Sequence, residues 1–323
     1  MHILVCGGAG YVGSHTAYVL AERGHEVTVL DNLSSGHSQA ARWGRLIEAD
    51  LMRPGTLDAA FERPVDAVMH FCARSLVGES VTAPYDYYDN NVVGSLNLLH
   101  AMRRHEVERL VFSSTAAVFG QPVAELIDEA HRKMPINPYG ASKLMVERIL
   151  ADAAHAYGLR SVSLRYFNAA GAAAEAGIGE SHTPETHLIP NVLRSALGIG
   201  PPLKVFGHGY PTPDGTCVRD YVHVLDLADA HVRAIEFMHR HPGAHAFNLG
   251  NGSGFSVLQV IEAARRATGQ DIPFEFAPSR PGDPATLVAA SDKARAQLGW
   301  RPGFAELGDI VASAWKWHRA PAY

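Results

Sequence analysis

Ile3-Leu4-Val5-Cys6-Gly7-Gly8-Ala9-Gly10-Tyr11-Val12-Gly13 decides the fold of this chain. Four apolar residues run straight into a turn that reads as GxxGxxG and, from Gly8, as GxGxxG. Residues at helical spacing follow. A strand, a glycine turn and a helix in that order make a dinucleotide fingerprint. Glycines let the backbone turn tightly and approach a pyrophosphate, whose charge the helix N-terminus stabilises. The second apolar run ends in Val29-Leu30-Asp31-Asn32. A carboxylate there can accept both hydroxyls of an adenine ribose and would repel a 2′-phosphate, so the expected cofactor is NAD rather than NADP. Asp50-Leu51, after the third run, is a candidate adenine contact.

Working outward, apolar runs at 3–6, 26–30, 46–49, 67–71, 110–113 and 161–166 alternate with helical patterns, among them 11–23, 85–104 and 139–157. Continuously apolar strands separated by helices predict a parallel sheet covered on both faces. The expected class is α/β: a doubly wound, Rossmann-type sheet with ligands beyond the carboxyl ends of its strands. Later stretches are richer in Pro and Gly, as at Pro201-Pro202, Gly207-His208-Gly209 and 278–284, and predict a second, smaller α/β lobe. The expected division is 1–168 for NAD and 169–323 for substrate, with elements interleaved. Ser256 with Gln259 three residues on predicts a capping box. The alanine-rich patch 172–176 reads as a mobile loop, and Trp315 and Trp317 as helix packing.

Composition narrows the function. Of 323 residues, 47% are hydrophobic and 19% charged, as in ordinary globular proteins. The net charge is -5 and no Lys/Arg block exceeds a pair, which argues against nucleic acid or an anionic membrane as partner. No uncharged apolar stretch approaches the roughly 20 residues of a membrane span. With no recognisable leader, the expected location is the cytoplasm. Three cysteines do not make a disulfide framework, and Cys6 and Cys72 read as core fillers. The 18 histidines look scattered, without an HExxH pair or a Cys/His quartet, so no metal is expected.

The candidate chemistry lies in Asn137-Pro138-Tyr139-Gly140-Ala141-Ser142-Lys143. Pro138 suits a first helical turn, and Tyr139 and Lys143, four apart, emerge on one face. An ammonium beside a phenol is expected to lower its pKa and make Tyr139 a general base. Ser113-Ser114-Thr115 closes another strand, and the Thr115 hydroxyl could guide a substrate proton to Tyr139.

With these motifs stand Val77-Gly78-Glu79-Ser80, Tyr87-Tyr88-Asp89-Asn90-Asn91, Asn248-Leu249-Gly250 and the long segment Tyr210-Pro211-Thr212-Pro213-Asp214-Gly215-Thr216-Cys217-Val218-Arg219-Asp220-Tyr221. On these stretches the chain resembles the extended short-chain dehydrogenase/reductase family over nearly its whole length. The resemblance implies tightly bound NAD, a UDP-sugar as small-molecule substrate and a homodimer. The activity implied is interconversion of UDP-glucose and UDP-galactose: oxidation at sugar C4, rotation of a 4-keto intermediate, and hydride return to the opposite face. It carries cofactor roles to Gly7, Gly10, Tyr11, Val12, Gly13, Asp31, Asn32, Phe71, Ala73, Asn90, Ser113, Lys143 and Tyr166. Tyr139 is implied as the base, Lys143 as its modulator and Thr115 as the hydroxyl partner. Asn168, Arg219, Arg280 and Asp283 are implied to hold the UDP-sugar.

Some positions depart from the family pattern. Thr115 stands where many members have Ser, Ala117 where a hydroxyl is frequent, Phe119 where Tyr is, and Ser75 where some have a lysine. Leu287 stands where enzymes restricted to glucose and galactose often have Tyr, so an N-acetyl group at C2 could fit. Ala116-Ala117 after Thr115 argues against a 4,6-dehydratase, which usually carries Asp-Glu there. A 4-epimerase of UDP-N-acetylhexosamines or UDP-pentoses is an alternative. A non-catalytic NAD-sensing regulator is another, but it would not need Tyr139, Lys143 and Thr115 together.

Overall fold

The computed structural model describes residues 1–280 and 283–323. Strand β1 (His2–Cys6) leads through the glycine turn to α1 (Tyr11–Glu22), β2 (Glu26–Asp31), β3 (Arg45–Glu48) and β4 (Ala67–His70). Short helices α2 (Val77–Thr82) and α3 (Pro84–Tyr88) then precede a π turn, Asp89–Val93, and α4 (Gly94–Arg104). Next come β5 (Arg109–Thr115), α5 (Pro138–Tyr157), β6 (Arg160–Tyr166), β7 (Asn168–Ala170) and α6 (Leu188–Ala196). The chain continues with β8 (Leu203–Phe206), β9 (Val218–Arg219), β10 (Tyr221–His223), α7 (Val224–Arg240), β11 (Ala244–Leu249) and β12 (Phe255–Ser256). It closes with α8 (Val257–Thr268), β13 (Phe274–Ala277), β14 (Thr286–Leu287), α9 (Asp292–Gln297) and α10 (Leu307–Arg319).

Seven strands form one sheet in the order β3-β2-β1-β4-β5-β6-β11, every neighbouring pair parallel. Side chains of a strand alternate between faces, and β1 shows how both are filled. Ile3 and Val5 pack with Ala17 and Leu20 of α1 and with Leu227, Ala230 and Ala234 of α7. Leu4 and Cys6 pack with Leu98 and Met102 of α4 and Val146 and Leu150 of α5. A helical layer therefore covers each face, and the apolar runs need no polar side. Strand order reverses between β1 and β4, which opens a crevice at their carboxyl ends.

Elements from later in the chain complete this unit: β11 adds the strand beyond β6, and α7 packs on α1. The remaining strands make small sheets, β10-β7, β12-β9-β14 and β13-β8, beside a third core where α6, α8 and α10 meet. Ser256 and Gln259 form the predicted capping box on α8. Among the described residues, no helix is long and apolar enough to cross a membrane. All three cysteines are free.

The helical pattern 85–104 holds as one unbroken helical run, with the π turn Asp89–Val93 widening it in the middle. One local expectation fails. The patch 172–176 is not loose. Ala172 and Ala173 are buried, and the Ala173 amide bonds both Ile178 O and His15 Nε2. Small side chains there permit close packing rather than mobility.

Candidate active site

The glycine turn is shaped by contact. Gly7 adopts φ 81°, and a Cβ on it would lie 2.7 Å from the Cys72 amide nitrogen. A Cβ on Gly13 would lie 2.1 Å from the Gly7 carbonyl oxygen, so α1 can abut the turn only through glycine there. Gly10 differs: as N-cap of α1 it has only Gly7 O, at 3.4 Å, near its missing Cβ. No side chain caps α1 and no acid occupies its first turn. The leading amides of Tyr11 and Val12 are thus left for an anion, which fits a dinucleotide's pyrophosphate.

Asp31 is buried at the end of β2, accepting the Ala9 amide at 2.9 Å and the Leu33 amide at 2.8 Å. Burial pushes its carboxyl up, and these amides pull it back down. Each oxygen keeps acceptor capacity for a ribose hydroxyl. Beside it, Asn32 donates to Asp50 at 3.2 Å, and the buried Leu51 holds the Asn97 amide through its carbonyl at 2.8 Å. Phe71 and Ala73, half-buried, follow β4, and Phe71 stacks near His231 with ring centroids 4.7 Å apart. Asn90 sits in the π turn and donates to Asn91, which in turn reaches Arg74 O and Ser142 Oγ, both at 3.0 Å. Asn91 thereby ties the loop after β4 to α5. The Tyr11 hydroxyl is committed elsewhere, donating to Gly171 O at 2.6 Å.

Helix α5 places the next group. Asn137 caps it by accepting the Gly140 amide at 2.8 Å, and Pro138 occupies its first turn. A Cβ on Gly140 would lie 2.4 Å from Ala117 O, so glycine lets α5 press against the turn after β5. That contact brings Tyr139 close to Thr115, whose side chain pulls the buried phenol down. One turn on, buried Lys143 donates from Nζ to Ser113 O at 2.8 Å and lies 4.8 Å over the Phe112 ring. Ser113 Oγ and the Tyr166 hydroxyl bond each other.

The electrostatics correct one expectation. Burial raises the Tyr139 phenol, and the Thr115 hydrogen bond is what lowers it; Lys143 is not among the groups that shift it. Burial also pushes the Lys143 ammonium down, to about 7. Spacing alone put ammonium and phenol on one face, but desolvation acts on both and disfavours both charges.

A further turn along α5, Glu147 accepts Ser114 Oγ at 2.6 Å and Arg165 through Nε at 2.9 Å and Nη2 at 2.6 Å. This buried pair locks α5 to β5 and β6 one turn beyond Lys143. The sequence reading missed it, although Glu147 continues the four-residue spacing of Tyr139 and Lys143.

Across the crevice, β7, β9 and β14 gather the other candidates. Asn168 donates to Asp220 O at 2.9 Å, and Leu287 pairs with Arg219 in register. Arg219 donates through Nη2 to Asp283. Leu287 packs against the cluster of Val118, Phe119 and Ile127, next to the turn that follows Thr115. Arg280 stands apart, its guanidinium 4.0 Å over the Phe206 ring, beside a cleft of about 500 Å³ lined by Gly207, Tyr210, Phe276 and Ser279. Ser75 is exposed. Buried Asp220, also missed in the sequence, accepts the amides of Asn251, Gly252 and Ala289 and so holds two loops around this region.

Two of the scattered histidines are not scattered in space. His182 and His187 meet Glu180 and Glu185, with candidate ligand atoms all within 4.8 Å of one another. The signal was there as Glu180-x-His182-x-x-Glu185-x-His187, but its spacing matches no common metal motif.

Residues 3–250 match the family described as "NAD dependent epimerase/dehydratase family". A UDP-glucose 4-epimerase of Halalkalibacterium halodurans is 51% identical over 320 residues, 99% of this chain and 96% of the relative. Among solved structures, a UDP-glucose 4-epimerase from Brucella ovis in complex with NAD superposes with a TM-score of 0.95 at 45% identity, covering 97% of each chain. One from Bifidobacterium longum, in complex with NAD+ and UDP, gives a TM-score of 0.93 at 38% identity and covers 99% of this chain and 98% of its own.

Proposed function

The chain belongs to the NAD dependent epimerase/dehydratase family, and within it we propose that this protein interconverts UDP-glucose and UDP-galactose by inverting sugar C4. The observation that carries this is the Thr115–Tyr139 hydroxyl pair, with Lys143 one turn away, at the carboxyl ends of the cofactor sheet. NAD, when bound, supplies the hydride acceptor that oxidises C4 and the donor that reduces it again.

Everything else falls to the chain. The Gly10 cap and the first turn of α1 would hold the pyrophosphate, and Asp31 the adenine ribose. Tyr139 takes the proton of the sugar 4-hydroxyl, relayed by Thr115, and returns it after the 4-keto sugar has turned its other face. Lys143, anchored on Ser113 O, would contact the bound cofactor beside the reacting pair. Arg219 and Arg280 suit a diphosphate, because a guanidinium offers several donors to its oxygens. Holding the UDP portion firmly and the hexose loosely is what permits the sugar to turn.

The test is to incubate the purified protein with UDP-galactose, without added nicotinamide, and follow the sugar by NMR. UDP-glucose should accumulate to a constant ratio. A protein that binds NAD and UDP but leaves UDP-galactose unchanged would sink the reading in favour of a sensor.

Leu287 supports a wider substrate range. It is smaller than tyrosine and lies beside the turn after Thr115, so a C2 N-acetyl group would meet less bulk there than beside a tyrosine. UDP-N-acetylglucosamine should then turn over in the same assay; no detectable rate would remove that extension. We also place the protein in the cytoplasm as a homodimer. Three free thiols agree with a reducing compartment, and Val81, Tyr85, Val93 and Met145 expose apolar side chains on neighbouring helical segments.

A further inference from the structure

We propose that Glu180, His182, Glu185 and His187 form a four-ligand site for a divalent cation of the zinc type, made of residues other than those assigned to the proposed reaction. The four residues lie on the loop that enters α6. His187 Nδ1 is 2.8 Å from Glu180 Oε1 and 3.1 Å from Glu185 Oε1, and His182 Nδ1 is 3.4 Å from Glu180 Oε1 and 3.6 Å from Glu185 Oε2. A tetrahedral ion with bonds of about 2.0–2.2 Å separates neighbouring ligand atoms by about 3.4 Å. The observed distances bracket that value, so an ion needs only small side-chain adjustments.

Three observations favour a ligand over a set of surface ion pairs. The carboxylates are not solvated: the Glu180 and Glu185 side chains are 5% and 3% exposed. Two buried carboxylates facing two imidazoles make a donor set that a divalent ion can bridge. Second, His182 Nδ1 is an enclosed atom without a hydrogen bond, aimed at the carboxylates. Third, His187 occupies the N-cap of α6 yet caps no amide, its ring turned to the cluster instead.

The surroundings hold the ligands in place. Trp317 Nε1 donates to the Glu180 carbonyl at 2.9 Å, and the Glu185 carboxylate accepts the amides of Thr186 and His187, both at 2.8 Å. Two imidazoles with two carboxylates suit Zn²⁺ better than Ca²⁺ or Mg²⁺, which prefer oxygen alone. Four protein ligands complete a tetrahedron, and a closed site is structural rather than catalytic. Its effect would be to clasp the loop before α6 beside Tyr11, whose ring meets that of His182 edge-on at 6.3 Å.

The experiment uses the full chain, stripped with a chelator and titrated with Zn²⁺, Mn²⁺ and Ca²⁺ by calorimetry, with bound metal counted after gel filtration. One Zn²⁺ per chain is expected, with Mn²⁺ weaker, Ca²⁺ unable to compete, and a higher melting temperature in zinc. Co²⁺ should give the intense visible band of four-coordinate cobalt. His182→Ala with His187→Ala should weaken zinc binding by more than about 100-fold and abolish the cobalt band. Substoichiometric zinc, Ca²⁺ binding as tightly as Zn²⁺, or unchanged stoichiometric binding in the double variant would overturn the assignment. If the double variant does not fold, His187→Asn is read by cobalt alone, and an unaltered band has the same consequence. None of these readouts needs turnover, so failure here leaves the epimerase reading standing.

Discussion

Tyr139 is a buried phenol, which burial pushes up and Thr115 pulls back down. On the proposed role, Tyr139→Phe leaves the pocket shaped but without a proton carrier. Turnover should fall by about 10²–10⁴-fold, the usual worth of general acid–base catalysis. UDP affinity by calorimetry should stay within a few-fold, and near-normal turnover would remove Tyr139 from the mechanism. Lys143 gives a pH prediction. Its folded value of about 7 lies below the ordinary 10.5. Below pH 7 the folded chain bears the full cost of a buried ammonium. Between the two values the folded chain has lost that proton while the unfolded chain keeps it, so stability rises with pH. Any stability advantage of Lys143→Met over the parent should therefore shrink from about pH 6 to about pH 9. Melting curves across that range check it, and a constant gap would contradict a depressed lysine. The Tyr139/Lys143 spacing was legible because a helix repeats every few residues. The direction of the pKa shifts was not, since it depends on burial in the folded chain and on Thr115, which arrives from another strand.

Helices and strands are positioned here by a few close backbone approaches. Gly13 and Gly10 lie in one motif but face different constraints, and alanine separates them. Gly13→Ala forces a Cβ into the Gly7 carbonyl and should lower the melting temperature by several degrees. Gly10→Ala meets ordinary contact within the protein, so the fold should melt near the parental temperature. Its methyl group would stand where the pyrophosphate approaches, and the purified variant should retain little NAD. Equal destabilisation of both, with NAD retained, would refute that division. The sequence showed these elements where the signal was local: the glycine turn, the capping box at Ser256 and Asn137-Pro138 at the start of α5. It failed where the cause was distant. Asn91 in the π turn answers to Arg74 and Ser142, and the alanine patch is fixed by His15, partners that no local window contains. The Glu180–His187 cluster escaped for the same reason, because only the folded loop turns four spaced residues inward.

Taken whole, the molecule carries one large sheet whose seventh strand, Ala244–Leu249, comes from well beyond the other six in sequence. Its exposed apolar side chains on α2, α3, the π turn and α5 belong to neighbouring segments. If they form the homodimer interface, light scattering should give twice the chain mass, and Met145→Glu should shift the population toward single chains. A parental protein that runs as a monomer at all concentrations would end that part of the proposal. The order of strands carries a different consequence. During synthesis the nucleotide cradle leaves the ribosome first, yet β6 stays an open edge until Ala244–Leu249 follows. Unpaired edge groups recruit wrong partners, so the nascent protein is at its most adhesive just when its first half looks complete. Cutting the gene after β6 would thus yield an aggregating fragment rather than a portable nucleotide module.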